Sequence, residues 1–101
     1  MTTLRDFDAL ARAATADVVA FAHFVDQSEF LCARTDDAAA RERYAEAWFD
    51  AEIINALALD RWDAEGRPAV WDATWRSAFQ PDAAQAVAGM RAAAAYFSAE
   101  K

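Results

Sequence analysis

Tyr44, Trp48, Glu52 and Asn55 are separated by four, four and three residues, the spacing that stacks side chains in one column of a helix. A carboxylate and an amide beside a phenol and an indole can do chemistry. Glu52 could act as a base, anchor a ligand or hold a metal, with Asn55 orienting whatever is bound. The surrounding segment, AWFDAEIINALALDRW over residues 47–62, is the most apolar part of the chain, and Leu59 and Trp62 extend the same column. Burying an ionised carboxylate in such company is costly without a partner. Either its pKa rises or a cation pairs with it. The structural alternative has Glu52 bonded to an Arg, Trp or Tyr donor of another helix, and it is the favoured one. A third arrangement places the column at the mouth of a groove, where both polar groups stay hydrated.

Other chemical groups are sparse. His23 is the single histidine and precedes Asp26 by three residues, one helical neighbour spacing. It lies opposite the apolar stripe of its own helix, so a solvated imidazole is expected. One His and one Cys do not make a structural zinc site. A Glu-x-x-His pair, a calcium loop, a phosphate-binding glycine loop and a nucleophile elbow are all missing from the sequence. No metal, cofactor or catalytic residue is therefore assigned. Trp71, Trp75 and Phe79 follow one another a helical turn apart. Such a stripe reads first as core and second as an aromatic wall for a flat ligand, with Arg76 beside it.

A second constellation is acidic. Glu42, Glu46 and Asp50 repeat every four residues and Asp60 falls near the same line, with Ile53 and Leu57 among them. Like charges at that spacing cost a few tenths of a kcal/mol per pair in an isolated helix. Two branched apolar residues on an acidic face suggest contact with a basic partner or another copy of the chain. The alternative is that a neighbouring helix covers both. Net charge is −7, of which residues 36–66 carry −6 from nine acids and three arginines. An acidic domain repels phosphate backbones, so nucleic acid is excluded as a partner and a basic protein is favoured. A plain solubility charge accounts for the same numbers.

These residues need helices to position them. The 101 residues are the length of one domain, 1–101, and 29 are Ala while Gly and Pro number two each. A first helix is expected over about Leu4–Cys32, capped by Thr3, with Leu4, Phe7, Ala11, Ala14, Val18, Phe21, Val25 and Cys32 on its inner stripe. Leu10, Phe24 and Leu31 widen that stripe, and a break is foreseen near Gln27–Ser28. Thr35 or Asp36 caps a second helix that runs to about Glu65 and stops at Gly66. Pro68 suits the first turn of a short third helix ending near Phe79, and Pro81 starts a fourth that ends near Ser98.

The expected fold is all-α: a single-domain four-helix bundle or irregular helical array, two long helices followed by two shorter ones. No signal peptide or membrane span is read from the sequence, and the lone Cys32 forms no internal disulfide. A cytoplasmic location is the expectation. The pattern Tyr44-x-Glu46-x-Trp48-x-x-Ala51 resembles one helix of the nitrile hydratase beta and activator proteins over about eight residues. The rest of the chain does not follow that resemblance, and no role or activity is carried over from it. The leading functional expectation is a small non-enzymatic accessory protein of regulatory, inhibitor or immunity type. The alternative is a ligand-binding or catalytic bundle with its pocket at Tyr44, Trp48, Glu52 and Asn55.

Overall fold

The computed structural model describes residues 4–29, 31 and 35–99, and it is all-α, with no strand among them. The helices are α1 (Leu4–Ala13), α2 (Val18–Ser28), α3 (Ala38–Ala64), α4 (Asp72–Thr74) and α5 (Gln80–Ala99). A π-helical segment, Trp75–Phe79, joins α4 to α5, so residues 72–99 form one rod. Four rods result, in a body of 45 × 21 × 21 Å. The central one is α3, which lies against α5 on one side and α2 on the other.

The expected first helix is two helices. A turn at Ala14–Asp17 separates them, and Asp17, with extended backbone, accepts the N–H of Ala20 at 2.7 Å as the N-cap of α2. An aspartate whose oxygen satisfies an orphan N–H starts a new helix as readily as it sits within an old one. The apolar stripe survives the turn: Phe7, Ala11, Ala14, Val18, Phe21 and Val25 are all buried. The end of α2 at Ser28 falls at the break expected near Gln27–Ser28. Thr3 and Cys32 lie outside the described residues.

Capping of α3 also differs from expectation. Asp37, and neither Thr35 nor Asp36, is its N-cap, accepting from Ala39 and Ala40 N–H at 2.9 and 3.3 Å. Thr35 sits one step earlier and accepts the N–H of Asp37 at 3.1 Å, which orients the cap. The C-terminal stop is the one expected. Gly66 has φ +85°, its N–H reaches Asp63 O at 3.0 Å, and Arg67 N–H reaches Trp62 O at 2.9 Å, a Schellman closure. Arg67 also has positive φ, +54°, and its side chain is tied to Asp63 and stacked on Trp62.

Pro68 does not begin a helix; the rod starts at Asp72. Nor does Pro81 start one. It has no N–H to donate and its ring crowds the carbonyl one turn back. The π segment just before it, where Gln80 N–H reaches Trp75 O, widens the turn and lets the rod run through. Two side chains of this stretch anchor the α1–α2 turn: Trp75 Nε1 and Gln80 Nε2 both donate to Thr15 O, at 2.9 and 2.7 Å. Among the described residues no helix is long and apolar enough to cross a membrane.

Candidate functional site

The column Tyr44–Trp48–Glu52–Asn55 lies along the inner side of α3, and its polar atoms have structural partners first. Tyr44 is fully buried and its hydroxyl donates to Ser28 O at 2.7 Å. Trp48 Nε1 donates to Val25 O at 2.9 Å. Both acceptors belong to the last turn of α2, where the helix runs out of backbone N–H donors for its carbonyls, and Val25 O also accepts from Ser28 Oγ at 3.4 Å. Two aromatic side chains of α3 therefore cap the end of α2. Phe7 and Phe97 meet the Tyr44 ring at centroid distances of 6.2 and 5.4 Å, which fills the space around it.

Glu52 and Asn55 are less well provided for. Glu52 is half-buried, and no hydrogen bond or ion pair reaches it among the described residues. The structural pairing expected for it is not formed with any described residue. Asn55 is 7% exposed, and its Oδ1 is buried without a hydrogen-bond partner. Among the described residues, a concavity between α3 and α5 and another at the far end of α3 are lined by none of these four residues.

The outer side of α3 is different. Phe49, Ile53 and Leu57 follow one another at four-residue spacing and are 58, 44 and 59% exposed. Around them stand Glu42, Glu46, Asp50 and Asp60, all exposed and all without a hydrogen bond or ion pair among the described residues. The ion pairs lie elsewhere. Asp8 holds Arg12 and Arg91, Glu65 holds Arg61, and Asp63 holds Arg67. All six residues expected on this face are exposed, and among the described residues no helix covers Ile53 or Leu57. Phe49, not among those six, continues the row at the same four-residue spacing.

A groove of about 310 Å³ runs between α3 and α5 beside this stripe, lined by Ala47, Asp50, Ile54, Asp82, Gln85 and Ala86, with Gly89 at its end. Asp50 borders both the stripe and the groove. The groove has an apolar floor and a carboxylate from each helix, the lining that suits an aliphatic chain ending in a cation.

Elsewhere, His23 is exposed, as its place opposite the stripe predicts. Trp71 and Trp75 are buried and stack on Phe79 at centroid distances of 5.8 and 6.3 Å. At the end of α3 the carboxyl of Glu65 is held below its ordinary range, first by the indole N–H of Trp71 at 2.8 Å and then by Arg61. Arg67 does the same to Asp63. Among the described residues no three His, Cys, Asp or Glu side chains are grouped to hold a metal ion. Compared with family models, curated proteins and solved structures, the chain matches none.

Proposed function

We propose that this chain is a non-enzymatic interaction protein that docks a basic protein partner on the outer face of α3. One observation carries the reading: Phe49, Ile53 and Leu57 stand exposed in a row interleaved with four carboxylates that have no hydrogen bond or ion pair among the described residues. Apolar side chains at the centre and charge at the rim are the layout of a docking site, where the centre holds the complex and the rim speeds encounter. The sign of the rim selects the partner. A second copy brings four more carboxylates to the same place, so self-association is disfavoured and a Lys- or Arg-rich amphipathic helix is favoured. The groove beside Asp50 suits one long basic side chain of that partner, received between Asp50 and Asp82.

Two synthetic helices test this, one alternating Leu with Lys on its faces and one with Glu in place of Lys. Methyl and ring signals of Ile53, Leu57 and Phe49 are expected to shift saturably with the first and not with the second. Binding of both helices, or of neither, defeats the reading. Sedimentation at rising protein concentration checks the self-association arm, for which a monomer is expected.

The alternative, a ligand pocket at Tyr44, Trp48, Glu52 and Asn55, is supported by one atom. A buried acceptor without a donor, as at Asn55 Oδ1, is uncommon and costs about 1–3 kcal/mol.

A further inference from the structure

The groove between α3 and α5 has a length as well as a lining. Tyr44 meets Phe97 at a centroid distance of 5.4 Å, and the Arg61 guanidinium carbon lies 6.0 Å from the Phe79 ring centre. These two contacts set the helices antiparallel. By the same count Ala58 stands level with Asp82, and Ala51 with Gly89. Asp50 is eight residues before Ala58, so the two groove carboxylates are ~12 Å apart along the groove. They occupy opposite ends of it, one from each helix. Between them Ile54 and Ala86, both half-buried, form the floor, and the exposed Gln85 stands on the rim.

Neither carboxylate is spent within the fold. Asp50 and Asp82 have no hydrogen bond or ion pair among the described residues. The nearby arginines are matched by other acids: Arg61 is held by Glu65 and Arg91 by Asp8. Arg43 and Arg76 have Glu46 and Asp72 at helical neighbour spacing, and Arg43 has an interaction of its own. No open helix start opposes either charge. Asp50 lies in the middle of α3, and Asp82 lies inside the continuous rod of residues 72–99, where Gln80 N–H reaches Trp75 O and Pro81 has no N–H.

Gly89 adds an independent observation. A glycine inside a helix costs stability relative to alanine, and its common use is close approach of the backbone to something else. Within the fold nothing needs it, since a Cβ there meets nothing within 4 Å. What it keeps open is the groove beside Asp50.

These features select the guest. An anion is repelled at both ends, and a neutral chain offers neither carboxylate a donor. A chain with one cation serves one end. An unbranched chain with an ammonium at each terminus serves both, through charge-assisted hydrogen bonds, and lays its carbons on Ile54 and Ala86. Nine staggered bonds between terminal nitrogens span about 11 Å, the length required. The Gln85 amide oxygen, placed between the carboxylates, accepts from a nitrogen in mid-chain. At about 310 Å³ the groove is at the small end of ligand-binding sites.

We propose that the groove binds a linear aliphatic polyamine whose terminal ammonium groups are about nine bonds apart. The proposal rests on the groove alone and needs no protein partner.

The test titrates the methyl-labelled protein at about 0.15 M sodium chloride, where loose surface attraction is screened. The probes are spermidine and 1,8-diaminooctane, both of the required length. The controls are 1,4-diaminobutane, which is too short, octylamine, which has one charge, and magnesium chloride. Methyl signals of Ile54 and Ala86 are expected to shift saturably with both long amines, while Val19 on α2 stays in place. The short diamine and octylamine should each bind about fivefold or more weaker. Asp82→Asn, at an exposed residue, should weaken the long amines about threefold or more. Gly89→Leu fills the groove beside Asp50 and should weaken them about tenfold or more, with an unaltered thermal melt. The proposal is overturned if neither long amine gives a saturable shift, or if the short diamine or magnesium moves the same signals at the same concentration. It is overturned equally if Gly89→Leu or Asp82→Asn binds spermidine as the parent does. The Lys–Leu helix takes no part in this titration, so failure here and failure of the docking face are told apart.

Discussion

Toward the core, α3 presents Tyr44, Trp48, Ala51, Asn55 and Ala58; toward solvent, it presents Phe49, Ile53 and Leu57 among carboxylates. The ordinary arrangement is partly inverted, with polar atoms inside and branched and aromatic carbon outside. Inside, the polar atoms of Tyr44 and Trp48 complete the end of another helix, and Ala40, Ala51 and Ala58 keep that side of α3 shallow enough for its neighbours to approach. Nothing among the described residues completes the outer side. The polarity of Tyr44 and Trp48 is thus explained by folding alone, whereas the exposed apolar row is not. On the proposed reading, it is the outer face that docks a partner.

The largest expected effect tests the inner half of this contrast. Tyr44→Ala should cost about 3–5 kcal/mol in urea unfolding, the range for deleting a fully buried aromatic side chain. Tyr44→Phe keeps the ring and loses the hydroxyl's bond to Ser28 O, which should cost about 1–2 kcal/mol. Phe49→Ala should stay within about 0.5 kcal/mol, because its ring is more than half exposed. Equal losses at Phe49 and Tyr44 break the comparison, since Phe49 would then belong to the core.

Next in size is Asn55→Leu. The orphaned Oδ1 burdens the fold by about 1–3 kcal/mol, so an apolar residue of similar shape should leave stability unchanged or raise it by up to that amount. A loss of more than about 1 kcal/mol would point to a donor held at Asn55 by something other than this chain. That result moves the functional site from the outer face to the inner column.

A smaller gain is expected at the groove. Gly89 lies within α5, and a Cβ added there meets nothing within 4 Å. Gly89→Ala should stabilise by about 0.5–1 kcal/mol by reducing the freedom of the unfolded chain. Thermal melts decide it, with Gly66→Ala as the counterpart. At φ +85° that change should destabilise by about 1 kcal/mol, although the space around it is equally empty.

Much of this was legible in the sequence, and the failures have physical causes. Periodicity identified Phe7, Ala11, Ala14, Val18, Phe21 and Val25 on the inner stripe of α1 and α2, because burial follows the 3.6-residue repeat whether or not the helix is continuous. For the same reason it missed the turn at Ala14–Asp17. No Gly or Pro marks that turn, and an aspartate becomes a cap only when the preceding backbone leaves the helix. Asp36 and Asp37 are adjacent and chemically identical, so which of them caps α3 is decided by the Thr35 hydroxyl. Pro81 reads as a helix start because the rule of proline at the first turn is strong. The π segment that lets a helix continue through it has no distinct composition. At the candidate site, the six residues expected on the acidic face are all exposed, and their four- and three-residue spacing is what made them readable as a group. Phe49 shares the spacing of Ile53 and Leu57 and was not among them. The partners of Tyr44 and Trp48 were unreadable, because both are backbone carbonyls of a distant turn.

The smallest effect separates a functional acid from a decorative one. Glu46 stands one turn from Glu42 and from Asp50, so removing its charge relieves like-charge repulsion. Glu46→Gln should therefore raise stability by a few tenths of a kcal/mol, near the limit of a careful unfolding experiment. The same substitution should slow association with the Lys–Leu helix and make the rate less sensitive to salt, since a rim charge acts mainly on encounter. Ile53→Ala should do the reverse: little change in association, faster dissociation, and stability within about 0.5 kcal/mol. Gain in the fold with loss in binding is expected only where a charge is kept for something outside the chain. At ~1 M salt, where charges are screened within about 3 Å, the Glu46 difference should vanish and the Ile53 difference should remain. If both substitutions behave alike at every salt concentration, the carboxylates and the apolar row do not act as one surface, and the docking face dissolves into its parts.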